Sequence, residues 1–138
     1  MASVPSLNPS LGSSENKKRI LVLEDDSDLL ELLQDAFRLY GFEVDAYTDP
    51  EAAVNSFVHL NANYDLIIMD LKLDGIDGRS IYKKFKEFDP AFKICILTGL
   101  DVDVPAFKEI CPSFEEKFLM KKPVKISSMM ETIRSILG

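Results

Sequence analysis

The sequence YDLIIMDLKLDGIDG, residues 64–78, decides the fold. Leu66, Ile67, Ile68 and Met69 form a continuous apolar run bounded by aspartates. Such a run is the pattern of a strand buried on both faces, as in a parallel sheet covered by helices. It ends on Asp70 and opens into a loop rich in Gly and Asp. A strand entering a core needs no carboxylate at its end, so Asp70 is the first candidate for chemistry.

The pattern repeats in both directions. RILVLE (19–24) is a second buried strand, and KICILT (93–98) and EKFLMK (116–121) supply two more. FEVDAY (42–47) alternates as a strand. Between them, DLLELLQDAFRLYG (28–41) places Leu29, Leu32, Leu33, Ala36, Phe37 and Tyr40 at helical spacing, with Gly41 as the residue that stops the helix. Asp26 or Ser27 is the expected N-cap. A second helix starts in TDPEAAVNSFVHL (48–60), where Thr48 and Glu51 stand at capping-box spacing and Pro50 lies in the first turn. A third covers RSIYKKFKEF (79–88). In 101–115, Pro105 and Pro112 permit a short helix at best. The last helix, 126–137, has Ser128 and Glu131 as its capping box and Met129, Met130, Ile133, Ile136 and Leu137 facing inward. Five strands alternating with helices predict an α/β fold, a three-layer doubly wound five-stranded parallel sheet with an irregular or shortened fourth helix.

Composition narrows the class. A chain of 138 residues, 46% hydrophobic, makes one domain with a sizeable core, assigned to residues 17–138. Residues 1–16, rich in Ser, Pro and Asn, read as a disordered tail. The two cysteines, Cys95 and Cys111, form neither a disulfide framework nor a metal pattern. No apolar run has the length of a membrane span and no signal peptide precedes Lys17, so a cytoplasmic location is expected. A net charge of −7 argues against a nucleic-acid partner. The acid is concentrated in residues 17–70, with 12 acidic and 4 basic side chains.

In a doubly wound sheet, ligands bind at the carboxyl ends of the strands near the topological switch point. Those ends carry Glu24-Asp25-Asp26, Asp70, Thr98-Gly99 and Lys121-Lys122-Pro123. Carboxylates converging from two strands repel one another, and need raised pKa values or a hard divalent cation. Mg²⁺ suits a site offering few carboxylates, since waters or a phosphoryl group complete its octahedron. Carboxylate nucleophile, metal, ammonium and hydroxyl together are the parts of a phosphoryl-transfer site. The lone His59 is assigned to surface or packing.

RILVLEDDSDLL, DLIIMDLKLDGIDG, ILTG and MKKPV together resemble the receiver domains of two-component response regulators, including the single-domain chemotaxis regulator. The resemblance covers roughly residues 18–138 and implies the flavodoxin-like strand order 2-1-3-4-5. It implies that Asp70 is the phosphoacceptor, that Glu24 and Asp25 are the acidic pair, and that Asp25 is the more direct Mg²⁺ ligand. Asp70 itself and the backbone carbonyl of Lys72 complete the metal site, Thr98 is the switch hydroxyl, and Lys122 contacts the phosphoryl group. Lys122-Pro123 matches the family's cis peptide. Asp74 stands where the family's loop usually has proline, and Leu119, beside Phe118, stands where it has the switch aromatic. Lys121 alternates to the opposite side of its strand and is expected to play no part.

The implied function is a stand-alone response regulator. It takes a phosphoryl group from a histidine kinase or phosphotransfer protein and switches a docking surface for a downstream protein target, with no nucleic acid or membrane insertion. It would catalyse its own phosphorylation and dephosphorylation without being a turnover enzyme. A metal-dependent phosphohydrolase of the haloacid-dehalogenase type needs a second Asp two residues after the nucleophile, where this chain has Lys72. A phosphorylation-independent interaction module is the remaining alternative, and the acidic pair with Thr98 and Lys122 argues against it.

Overall fold

The computed structural model describes residues 17–138. The tail assigned to residues 1–16 lies outside the described residues. Five parallel strands, β1 (Arg19–Leu23), β2 (Glu43–Tyr47), β3 (Leu66–Met69), β4 (Ile94–Thr98) and β5 (Leu119–Lys121), form one sheet in the order β2-β1-β3-β4-β5. The helices are α1 (Ser27–Leu39), α2 (Pro50–Leu60), α3 (Gly78–Phe88), α4 (Val104–Ile110) and α5 (Ile126–Leu137). The expected fold and strand order are both present, and the fourth helix is indeed short.

Side chains alternate across the sheet with period two and fill two separate cores. Ile20, Val22, Leu66, Ile68, Cys95 and Leu97 point toward α1 and α5, against Leu33, Phe37, Met129 and Ile133. Leu21, Leu23, Ile67, Met69, Ile94 and Ile96 point the other way, toward α2, α3 and α4. There Phe57 is fully buried, its ring edge-on to Phe85 and Phe92. The layering follows from crossover handedness. The chain leaves β1 toward β2 and then runs back across the sheet to β5, so crossovers of constant hand put α1 on one face and α2 to α4 on the other. The direction reverses between β1 and β3, which opens a crevice at their carboxyl ends.

Four local expectations are corrected. The N-cap of α2 is Asp49, whose side chain accepts from the Glu51 N–H at 3.2 Å, and not Thr48. Pro50 fits N1, where its missing N–H costs nothing, and that fixes the cap one residue before it. Helix α5 starts at Ile126 after Lys125, with no side-chain cap, so Ser128 and Glu131 lie within it instead of forming its capping box. Residues 116–121 are not one strand: Glu116–Phe118 is a 3₁₀ turn, closed by Phe118 N–H to the Glu115 carbonyl at 2.9 Å, and only Leu119–Lys121 pair with β4. On α1 the buried positions are Leu30, Leu33 and Phe37, whereas Leu32 is exposed.

Candidate functional site

The sheet register builds the site. Leu23 pairs with Met69, so Glu24 and Asp70 leave adjacent strands side by side at the crevice. Each is still tied to the sheet by its backbone: Asp70 N–H donates to the Leu23 carbonyl at 3.1 Å, and Glu24 N–H to the Tyr47 carbonyl at 3.0 Å. One strand over, Thr98 pairs with Lys121, and the next amide, Lys122 N–H, donates to the Thr98 carbonyl at 2.8 Å. The Lys122-Pro123 peptide is cis.

Glu24, Asp25 and Asp70 each offer a carboxylate oxygen, all within 4.8 Å of one another. Glu24 and Asp70 are buried, at 2% and 5% exposure, and Asp25 is half-buried. The Lys122 ammonium sits between two of them, 2.7 Å from Glu24 Oε1 and 2.7 Å from Asp70 Oδ2. The other oxygens are also engaged: Lys72 N–H donates to Asp70 Oδ1 at 3.0 Å, and Asp26 N–H to Glu24 Oε2 at 3.1 Å. Asp26 itself faces away as the N-cap of α1, accepting from Asp28 and Leu29 N–H.

Burial pushes the Glu24 carboxyl above its ordinary range, the Asp70 charge adds to this, and the bonds from Lys122 and Asp26 only partly offset it. Burial also works against the Lys122 ammonium, but its bonds to Asp70 and Glu24 outweigh that and raise its pKa. One ammonium thus faces three carboxylates. The deficit of positive charge and the oxygen-only donor set both fit a hard divalent cation such as Mg²⁺. The bond to Asp70 Oδ1 also holds the Lys72 peptide at the cluster.

Thr98 is fully buried at the end of β4. Its Oγ1 accepts from Leu100 N–H at 3.3 Å, which leaves the hydroxyl proton free to be donated. The strand-end residues Glu24, Asp25, Asp70, Lys72, Thr98 and Lys122 therefore all lie at the carboxyl end of the sheet, and Glu24, Asp25, Asp70, Lys72 and Lys122 are brought together. His59 is exposed, its ring nitrogen bonded to the Asn55 carbonyl of its own helix, away from this site.

Two features escaped the sequence reading. Gly78 donates its N–H to the Leu71 carbonyl at 2.9 Å, and a Cβ on it would lie 2.5 Å from Leu71 Cα and from that carbonyl oxygen. Only glycine permits this approach, which pins the residue next to Asp70. A small hairpin, Lys72–Leu73 against Ile76–Asp77, closes through Gly75 at φ +70° and makes the approach possible. The Asp-Gly dipeptide at 74–75 was the available signal. The second feature is Lys121, which does alternate outward but there forms an ion pair with Asp101 in the loop after β4.

The sequence model of the response regulator receiver domain matches residues 20–134. The chain belongs to the response regulator receiver family. Phosphorylation and Mg²⁺ binding are typical of these two-component receivers. The transcriptional regulatory protein PrrA of Mycobacterium tuberculosis is 34% identical over 81 residues, which are 59% of this chain and 34% of that protein. The chain therefore spans about a third of that relative's length. Among solved structures, a response regulator receiver domain protein from Clostridium thermocellum is 27% identical, with a TM-score of 0.75 over 87% of this chain and 94% of that one. The response regulator TrrA from Thermotoga maritima, solved in complex with Mg²⁺-BeF, is 26% identical, with a TM-score of 0.72 over 87% and 99%. No helix among the described residues is long and apolar enough to cross a membrane.

Proposed function

We propose that this receiver accepts a phosphoryl group on Asp70 from a phosphohistidine of a sensor kinase or phosphotransfer protein. The observation that carries the proposal is the Lys122 ammonium, 2.7 Å from both Glu24 and Asp70 within the carboxylate trio. Glu24, Asp25 and Asp70, with the Lys72 carbonyl, would hold Mg²⁺, which when bound neutralises charge on the transferring phosphoryl group.

A carboxylate oxygen of Asp70 attacks phosphorus as the bond to the donor histidine nitrogen breaks, and the electron pair leaves with the imidazole. Lys122 transfers part of its ion pairing from Asp70 to a phosphoryl oxygen, so no new charge has to be brought in. The Thr98 hydroxyl donates its free proton to another phosphoryl oxygen. Thr98 begins the loop to α4, so this bond biases the α4–β5–α5 surface toward a second arrangement. Water later attacks phosphorus, releasing phosphate and restoring the Asp70 carboxylate. The cycle resets a switch and turns over no separate substrate, so the protein is a signalling module and not an enzyme in the usual sense.

The receiver works in the cytoplasm and signals by docking on a protein target. Its net charge of −7 supports a protein partner over nucleic acid. Intact mass after incubation with acetyl phosphate and Mg²⁺ tests the proposal. One phosphoryl adduct is expected, lost on adding EDTA beforehand or in Asp70→Asn. Steady release of phosphate from generic phosphomonoesters over many turnovers would instead establish a hydrolase.

A further inference from the structure

Strand β4 lies between β3 and β5, so the loop leaving it has a neighbour on either side. On the β3 side is Asp70. Between the β4–α4 loop and α3 lies a cavity of about 250 Å³, with Leu71, Asp77 and Arg79 on one wall and Leu100, Asp101 and Val102 of the loop on the other. On the β5 side, the Asp101 carboxylate of the same loop reaches across to the Lys121 ammonium. The Thr98 hydroxyl is meanwhile engaged within the loop, by Leu100 N–H.

We infer that Lys121 is a positioning residue: its ion pair with Asp101 holds the β4–α4 loop toward β5 and so opposes the engagement of Thr98 with a group on Asp70. The inference rests on the reading of Asp70 as phosphoacceptor. A phosphoryl group at the end of β3 draws Thr98 toward β3, and the loop behind it has the cavity to move into. That movement carries Asp101 away from Lys121. The two pulls act on one short segment in opposite directions, so the ion pair sets how far the equilibrium lies toward the resting arrangement.

The scale is modest. Both partners are solvent-exposed, with the Asp101 side chain fully so. Exposed pairs shift equilibria by about two- to five-fold, which tunes a switch without locking it. Lys121 thereby differs from Lys122: the adjacent lysines face opposite sides of the strand end, one paired to the loop and one to the carboxylates.

The probe is beryllofluoride with Mg²⁺, titrated by amide chemical shifts into the wild-type chain, Lys121→Ala, Asp101→Ala, the double variant and Lys121→Arg. Lys121→Ala and Asp101→Ala are each expected to bind about two- to five-fold more tightly than wild type. The double variant should gain nothing beyond either single change, and Lys121→Arg should behave as wild type. In the protein without beryllofluoride, amides 99–103 should exchange faster in Lys121→Ala, while those of β1 and β3 stay unchanged. Failure of the wild type to bind would remove the phosphoacceptor reading itself. Wild-type binding matched by an equal affinity in Lys121→Ala, or additive effects in the double variant, would overturn the role of the ion pair alone.

Discussion

The backbone N–H of Lys122 donates to the carbonyl of Thr98 at 2.8 Å, joining the clamp on the carboxylates to the residue that starts the switching loop. The bond ties the backbones of the two strand ends together. The ammonium and the hydroxyl thus project from adjacent strand ends, with Glu24 and Asp70 facing the ammonium.

Lys122→Ala separates stability from chemistry. It leaves two buried carboxylates without their cation, which costs several kcal/mol when both partners are fully buried. Lys122 is about a quarter exposed, so a loss of about 2 kcal/mol is expected in the metal-free protein. Thermal melts with and without Mg²⁺ check it: the metal should recover most of the loss, because it supplies the missing charge. Some phosphorylation of Asp70 should survive, with weakened response around Leu119.

Mg²⁺ should raise the melting temperature of the wild-type protein, since a ligand specific to the native state stabilises it by about 2.7 kcal/mol at a hundred times its Kd. Asp25→Asn should weaken that effect at least ten-fold in metal affinity. It should also raise the melting temperature of the metal-free protein, because one repelling charge is gone. A clear fall would make Asp25 a structural residue.

Glu24 gives a pH dependence of definite sign. Its carboxyl is pushed up in the folded state, chiefly by burial, so the native protein holds this proton more tightly than the unfolded chain. The corresponding stability is complete below the ordinary glutamate range and is lost as pH rises through the raised folded value. Without metal, Glu24→Gln should therefore gain in melting temperature relative to wild type from about pH 4.5 upward. With Mg²⁺ present the order should reverse at neutral pH, as the charged carboxylate becomes a ligand.

Gly78→Ala should destabilise the protein by about 2 kcal/mol, the usual scale for forcing an atom into occupied space. The clash is with Leu71 backbone, which no rotamer change relieves. Since Leu71 follows Asp70, Mg²⁺ affinity should fall as well. Chemical denaturation and a metal titration on the same variant report the two effects.

The central strands were legible because β1, β3 and β4 are apolar runs buried at nearly every position, and β2 because it alternates. The strand-end residues then located the site, since parallel register carries Glu24 and Asp70 to the same edge. Caps were less legible. Thr48 and Asp49 are both good N-caps, and only the N1 preference of Pro50 chooses between them. The length of β5 depended on how much of 116–121 could pair with β4, a tertiary property. Gly78 and the Lys121–Asp101 pair were hidden for the same reason: each depends on the path of a loop, and Asp101 lies 20 residues from its partner.

The central claim is that Asp70 carries the phosphoryl group. Borohydride reduces an aspartyl phosphate to homoserine, which marks the residue permanently. After acetyl phosphate and Mg²⁺, peptide mapping should find homoserine at position 70 alone, and none when Mg²⁺ is withheld. Homoserine at Asp65, Asp74 or Asp77, or an unmodified Asp70 in protein that has gained a phosphoryl group, would contradict the account.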